Sequence, residues 1–243
     1  MKIEPIDLLP AIEIETGKHP IYTIVWLHGL GADGNDFVPI VQELELLPEK
    51  HIRFIFPHAL KRPISINNGY IMRAWYDIFH PDFNSYQDES GIHCSQKALD
   101  ALIEREIQRG IDSKHIFLAG FSQGGAMALQ VGLRQINQLA GIIALSCYLP
   151  LAKTLSGEAS AANASIPIFM AHGVYDLVIP ISHALSSRKV LTTADYLLEW
   201  HEYPMEHTVC KQEITDISHW LNCIMSSFAN GILKKITEQP FVI

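Results

Sequence analysis

A serine with a glycine two positions before it and another two positions after it lies near the middle of the chain, in the sequence Gly120-Phe121-Ser122-Gln123-Gly124. The residues from His115 to Ala119 favour a buried strand, and a helix is expected to begin at Gln123. In this pattern the serine occupies a sharp turn between strand and helix, and small residues are needed two positions before it and two positions after it. A glycine-rich turn in an unrelated α/β protein gives the same pattern, so the rest of the chain decides its meaning.

Apolar strand patterns alternate with amphipathic helix patterns along the chain. A continuous apolar and β-branched run such as residues 21–27 is typical of a strand buried on both faces. The alternation predicts an α/β fold with a mostly parallel central sheet and helices on both faces. Ligands of such sheets bind at the carboxyl ends of the strands. We therefore expect functional residues in the serine turn and in the loops 28–34, 147–151, 172–180 and 204–208.

Three local features predict where elements begin and end. Ile12 and Ile14 alternate with acidic residues, which predicts a half-exposed first strand. Asp36 is expected to cap a short helix over residues 37–47, and Ser90 is expected to cap a longer helix that ends before Gly110.

The length of 243 residues and the hydrophobic content of 48% allow one large core. We therefore expect a single domain over residues 1–243. Residues 58–89 show no helix or strand period but are rich in aromatic side chains, which predicts a lid-like insert with a function. Residues 228–243 form a C-terminal tail for which the sequence suggests no role.

Charge and composition exclude several classes of function. The net charge is −8 and no dense run of Lys or Arg is present, so nucleic acid is not expected as a partner. No apolar run is long enough for a signal peptide or a membrane span, which predicts a cytoplasmic protein without stable membrane insertion. The four cysteines lack C-x-x-C spacing and are expected to be reduced thiols.

Serine becomes a strong nucleophile only when a base takes its proton, and the base needs a third group to orient it. Asp176 is the only carboxylate in the loop that follows the strand over residues 167–171. A local turn or a helix cap is the alternative interpretation of this aspartate. Among twelve histidines, His207 lies in the loop after the last predicted strand, where the chain order Ser–Asp–His places the base. The predicted catalytic residues are therefore Ser122, Asp176 and His207.

An oxyanion formed at the serine needs hydrogen-bond donors. We expect them to be the backbone N–H groups of Gln123 and Leu30, so the two side chains should carry little information. His28 is interpreted as a partly buried structural histidine, with a ligand role as the alternative. The spacing from His201-Glu202 to His207 does not fit the H-E-x-x-H pattern of zinc proteases. Neither a metal nor a cofactor is expected.

Six motifs, in order along residues 21–225, resemble the phospholipase/carboxylesterase branch of the α/β-hydrolases, which includes bacterial carboxylesterases and acyl-protein thioesterases. This resemblance implies an α/β-hydrolase fold, the same catalytic and oxyanion residues, no cofactor, and a monomer or homodimer. The resemblance to the bacterial esterases is the closer one, on Asn67-Asn68-Gly69-Tyr70 and Tyr203-Pro204-Met205. The motifs are His28-Gly29-Leu30-Gly31 with Asp33-Gly34, Trp75-Tyr76-Asp77-Ile78, Gly120-Phe121-Ser122-Gln123-Gly124-Gly125, Ser146-Cys147-Tyr148-Leu149-Pro150, His172-Gly173 with Asp176 and Pro180, and Tyr203-Pro204-Met205 with His207.

Three residues depart from what this resemblance leads us to expect. Pro204 replaces a glycine, and Glu206 replaces a small residue beside the predicted base. A carboxylate there would change the basicity of the histidine or its access to substrate. Arg73 stands where a small residue or a proline is expected.

The substrate is a small-molecule acyl ester or thioester under this interpretation. Five apolar residues are candidates for an acyl groove, and ordinary core packing is the alternative for each: Trp75, Ile78, Phe79, Val178 and Met205. Three functions stay open. The first is a carboxylesterase for short- to medium-chain esters, the second a thioesterase or lysophospholipase for long chains, and the third a non-catalytic binding protein on a hydrolase scaffold.

Overall fold

Seven strands form the central sheet in the computed structural model, which describes residues 8–80, 82 and 86–229, with side chains up to residue 227. The strands are β1 (Ala11–Glu15), β2 (Tyr22–Leu27), β3 (Ile52–Pro57), β6 (Ile116–Phe121), β7 (Gly141–Leu145), β8 (Ile168–Gly173) and β9 (Leu198–Tyr203), and a separate hairpin contains β4 (Lys61–Ile64) and β5 (Tyr70–Arg73). The order in the central sheet is β1-β3-β2-β6-β7-β8-β9, and β1 runs antiparallel to β3 while all other neighbours are parallel.

Helices cover both faces of this sheet because successive side chains of its buried strands point in opposite directions. Val25 and Leu118 face one side, where they join the core formed with α2 (Glu89–Gln108), α3 (Gln123–Arg134) and α5 (Ile181–Thr193). Ile24 and Phe54 face the other side, where α6 (Lys211–Ala229) and the short α1 (Ile40–Glu43) pack. A further short helix, α4 (Leu155–Glu158), precedes β8. The predicted α/β class with a mostly parallel sheet and helices on both faces is confirmed.

The aperiodic insert is more regular than its sequence pattern indicates. It contains a two-stranded antiparallel hairpin of β4 (Lys61–Ile64) and β5 (Tyr70–Arg73). Asn68 and Gly69 turn the chain between these strands with positive φ angles of 54° and 77°, which asparagine and glycine tolerate best. Two strands of four residues are too short to give a clear alternation, so the sequence does not reveal them. The lid role of this insert stays a prediction.

Two predicted helix starts are wrong. The helix expected over residues 37–47 is reduced to Ile40–Glu43, because the preceding residues form turns and Leu44 is already extended. Asp36 therefore does not cap it. The longer helix begins at Glu89, and its cap is Asp88 instead of Ser90, because the Asp88 carboxylate accepts the Gly91 N–H at 2.9 Å.

The predicted tail, residues 228–243, lies outside the described residues apart from the last two positions of α6. Within the part of the chain that the structure covers, no helix has the length and apolar character needed to cross a membrane.

Candidate active site

Ser122 lies at the tight turn between β6 and α3. Its backbone adopts φ 56° and ψ −121°, a combination that is rare for a residue with a side chain. Its N–H donates to the Leu145 carbonyl at 2.9 Å, which ties the turn to the neighbouring strand. A Cβ at Gly120 would lie 2.4 Å from the Gly124 backbone, and one at Gly124 would lie 2.2 Å from the Leu27 carbonyl oxygen. The two glycines are therefore required by space, as the motif predicts.

The side chains of Ser122, His207 and Asp176 form a continuous hydrogen-bonded chain. His207 Nδ1 lies 2.7 Å from Asp176 Oδ2, and His207 Nε2 lies 2.9 Å from Ser122 Oγ. An ionised carboxylate only accepts hydrogen bonds, so Nδ1 carries the proton and Nε2 is left to accept the serine hydroxyl. The carboxylate is fully buried, while the histidine is 16% exposed. The structure thus brings together the three residues that the sequence analysis selected from three separate loops.

The loop after β8 holds the carboxylate in place. Asp176 Oδ1 accepts the N–H groups of Val178 and Ile179, each at 2.8 Å. These bonds resemble the local turn that was the alternative interpretation of Asp176. The turn uses one oxygen and leaves the other for His207, so both interpretations describe the same residue. Glu206, whose carboxylate was expected to influence the base, has an exposed side chain.

The two predicted oxyanion donors lie in the wall of the same cavity as Ser122. Within the described residues, the N–H groups of Leu30 and Gln123 donate to no protein acceptor. The Gln123 N–H belongs to the first turn of α3, whose positive dipole end favours a negative charge there. The loop bearing Leu30 is fixed by the Gly31 N–H, which donates to the Arg73 carbonyl at 2.9 Å. Arg73 stands where a small residue or a proline was expected, and its guanidinium N–H donates to the Ala59 carbonyl at 2.8 Å.

A cavity of about 270 Å³ opens beside the serine, and most of its wall is apolar. Two of the five predicted groove residues, Ile78 and Val178, contribute to it. Trp75, Phe79 and Met205 do not. The full lining is Gly29, Leu30, Ala32, Asp36, Tyr76, Ile78, Phe121, Ser122, Gln123, Tyr148, Val178, Ile179 and His207.

The three residues that lie outside this cavity wall illustrate one difficulty, since an apolar residue beside a motif is equally suited to the core. Trp75 is 1% exposed and its indole N–H donates to the His28 carbonyl at 2.9 Å. Met205 is buried in the core on the α6 face of the sheet. Phe79 is partly exposed but lies outside the cavity wall.

The side chain of Gln123 is the main feature that the sequence analysis missed. It is buried, and its Oε1 accepts the Trp75 N–H at 2.8 Å while its Nε2 donates to the Tyr76 carbonyl at 2.7 Å. The amide therefore attaches the insert to the helix that carries one oxyanion donor.

Tyr76 places its hydroxyl 2.8 Å from that of Tyr148, and both residues line the cavity. Burial raises the pKa of Tyr76 and of Tyr148, so both hydroxyls stay protonated.

His28 behaves as a buried structural histidine: its Nε2 accepts the Ala59 N–H at 3.1 Å and its Nδ1 lies 2.7 Å from the Gly29 carbonyl oxygen. Burial lowers the pKa of His28, which favours its neutral form. Among the described residues, no group of three or more His, Cys, Asp or Glu is arranged to hold a metal ion.

Comparison with known proteins places this geometry in a family. The family described as Phospholipase/Carboxylesterase matches residues 10–225. The chain belongs to this family. Members of the phospholipase/carboxylesterase family are hydrolases with an α/β-hydrolase fold, and this protein is accordingly a hydrolase with that fold.

Fungal family members are similar in sequence over most of the chain. Acyl-protein thioesterase 1 of Yarrowia lipolytica is 34% identical over 217 residues, which cover 87% of this chain and 96% of the relative. Acyl-protein thioesterase 1 of Neurospora crassa is 37% identical over 226 residues, covering 89% and 90%. Among solved structures, acyl-protein thioesterase 2 of Zea mays has a TM-score of 0.78 at 28% identity, covering 89% of this chain and 99% of its own.

Proposed function

We propose that the protein is a serine thioesterase that releases acyl groups from S-acylated proteins, with Ser122 as nucleophile, His207 as base and Asp176 as the residue that orients the base. The observation that carries this proposal is the hydrogen-bonded chain from Ser122 Oγ through His207 to Asp176. Ser122 and His207 line a cavity whose wall is mostly apolar. The names of the curated relatives support the thioester over the short-chain ester that the motifs alone favoured.

Acylation begins when Ser122 Oγ attacks the thioester carbonyl carbon and His207 Nε2 takes the hydroxyl proton. The carbonyl oxygen becomes an oxyanion, which accepts hydrogen bonds from the Leu30 and Gln123 N–H groups. The carbon–sulfur bond then breaks, and the proton on His207 passes to the departing thiolate. The product is an acyl-serine and a free thiol.

Deacylation repeats these steps with water as the nucleophile. His207 takes a proton from the water, whose oxygen attacks the acyl-serine carbonyl, and the same two N–H groups hold the second oxyanion. The carbon–oxygen bond to Ser122 breaks and His207 returns its proton to Oγ. The carboxylic acid leaves and the serine is regenerated.

Asp176 acts on His207 in both halves of this cycle. Its Oδ2 fixes the tautomer with the proton on Nδ1, so Nε2 faces the serine as an acceptor. It also stabilises the imidazolium that forms when His207 takes a proton. Because Oδ1 is held by two backbone N–H groups, the carboxylate has little freedom to rotate.

One observation favours a second candidate, a carboxylesterase for short- to medium-chain esters. The cavity volume of about 270 Å³ lies just below the usual range of small-molecule sites, roughly 300–1,000 Å³. A cavity of this size suits short chains, and a long chain would need to extend along the surface beyond it. The exposed Val178 and Leu177 of the acid loop offer apolar contacts there.

The test uses matched thioesters and oxygen esters of acetyl, octanoyl and palmitoyl groups with the wild type, Ser122→Ala and the control Ser186→Ala. The proposal predicts serine-dependent turnover that is highest for the palmitoyl thioester, with the control equal to the wild type. A maximum on acetyl or octanoyl oxygen esters would select the carboxylesterase. Absence of turnover on all six substrates, together with no labelling by a fluorophosphonate, would refute both hydrolases and favour the binding protein.

A further inference from the structure

His172 is a fully buried histidine that neither the proposed mechanism nor the cavity uses. It occupies the penultimate position of β8, immediately before the loop that bears Asp176. It belongs to the His172-Gly173 motif, but the sequence assigns this histidine no role. A titratable ring kept away from water at this place needs a physical reason.

The ring makes two contacts through one nitrogen. His172 Nε2 lies 2.8 Å from the Ile179 carbonyl oxygen and 3.3 Å from Asp176 Oδ2. Both of these oxygens only accept hydrogen bonds, so Nε2 carries the hydrogen and donates it to the Ile179 carbonyl, while Asp176 Oδ2 lies close enough for an electrostatic contact. Within the described residues, Nδ1 has no hydrogen-bond partner, so a second proton there would be buried without an acceptor.

The charged and titratable groups around His172 are few. Burial lowers the pKa of His172, the Ile179 carbonyl and Asp176 oppose this change, and His207 and His183 reinforce it. His207 belongs to the loop after β9 and His183 to α5. The ring is therefore neutral, with its hydrogen on Nε2.

The position of this hydrogen links two parts of the active site. Asp176 Oδ2, which accepts the Nδ1–H of His207, also lies 3.3 Å from His172 Nε2, so one carboxylate oxygen lies between two histidines. Ile179 is held at both ends, since its N–H donates to Asp176 Oδ1 and its carbonyl accepts from His172. Ile179 is also part of the cavity wall.

We propose that His172 is a positioning residue for Asp176. Its Nε2–H holds the Ile179 carbonyl and attracts Asp176 Oδ2, and it thereby sets both the orientation and the basicity of His207. This inference rests on the proposed function. The positive end of this N–H dipole lies near Oδ2 and offsets part of its negative charge, so His207 is a weaker base than it would be beside the carboxylate alone.

The test compares two substitutions at this position. His172→Phe keeps a planar ring but removes the donor, and His172→Gln restores an N–H donor on a side chain of similar reach. Thr23→Val is the control, because it removes another fully buried donor, at the far end of the sheet, where Thr23 Oγ1 donates to Glu106. For each variant, kcat/KM is measured from pH 5 to 9 on the best thioester, per active site counted with a fluorophosphonate, together with the melting temperature.

His172→Phe is expected to lower kcat/KM by roughly 10- to 100-fold, the effect of a small displacement of the base. The acid limb of its pH profile is expected to move up by about half a unit to one unit, because His207 becomes more basic. His172→Gln is expected to recover most of the rate and to return the limb to its wild-type position. Thr23→Val lowers the melting temperature without moving the limb.

A purely structural role gives a different result. If both His172 variants lose thermal stability while their rate per active site and their acid limb match the wild type, the inference is wrong. The limb position does not depend on the amount of folded protein, so a poorly folding His172→Phe still gives an answer. Wild-type turnover that persists in Ser122→Ala would overturn the proposed function itself, and this inference with it.

Discussion

Replacing Glu213 by glutamine is predicted to stabilise the protein progressively as the pH rises. Glu213 is the third residue of α6, which follows the loop that carries His207, and its side chain is fully buried. Within the described residues, neither carboxylate oxygen has a hydrogen-bond partner, although the nearby Cys210 main chain favours the charged form. Burial, reinforced by the nearby Asp216 carboxylate, raises the pKa of Glu213 to about 8.

The sign of the effect follows from where each state binds the proton. The unfolded chain releases the Glu213 proton near pH 4.5, whereas the folded protein keeps it until about pH 8. Between these values the folded state binds more protons, so the free energy of unfolding falls as the pH rises. At about 1.4 kcal/mol per pKa unit, this one group costs roughly 1 kcal/mol at pH 5, about 3 at pH 7 and about 5 at pH 9. These values are upper limits, because water that reaches the carboxylate lowers the cost.

Urea unfolding of the wild type and Glu213→Gln at pH 5, 7 and 9, followed by tryptophan fluorescence, measures this difference. A buried amide has its own cost, but that cost does not depend on pH, so the increase from pH 5 to 9 carries the prediction. The exposed Glu49→Gln serves as control and should show no such increase. A difference between wild type and Glu213→Gln that stays constant over this range would refute the assignment of a neutral buried carboxyl.

Three further substitutions test other parts of the account. Glu106 is fully buried and accepts hydrogen bonds from three arginines. Glu106→Ala is therefore expected to lower the free energy of unfolding in urea by about 3–5 kcal/mol, and a loss below about 1 kcal/mol would contradict this. Gly173→Ala places a Cβ 2.4 Å from the carbonyl oxygen of Glu206, the residue before His207. The displaced base should lower kcat/KM by roughly 10-fold or more. Gly157→Ala is the control and should leave kcat/KM unchanged, because no atom lies within 4 Å of the added Cβ. Asp176→Asn should lower kcat by roughly 10⁴-fold, and a loss under about 10-fold would exclude its role with the base.

The sequence predicted those parts of the protein that depend on local pattern and chain order. The buried strands were visible because residues such as Ile24 and Phe54 lie in continuous apolar runs. The nucleophile was identifiable because the turn at Ser122 needs glycines at fixed positions. Asp176 and His207 followed from their places after successive strands, since parallel strands end at the same edge of a sheet.

Contacts between distant segments were not predictable in the same way. The Gln123 amide bonds to Trp75 and Tyr76, which are 48 and 47 residues earlier, and no local pattern records such a pairing. The sequence likewise did not show that Trp75 and Met205 lie outside the cavity wall, because apolar character does not distinguish a cavity wall from the core. His172 was part of a quoted motif, but only its distance from Asp176 Oδ2 shows what it touches.

The most direct test of the central claim is to locate the covalent adduct that a fluorophosphonate forms with the protein. The account predicts one adduct per chain by intact mass, mapped by tandem mass spectrometry to Ser122, absent in Ser122→Ala and strongly slowed in His207→Ala. An adduct on another residue, or unchanged thioester hydrolysis by Ser122→Ala, would contradict it.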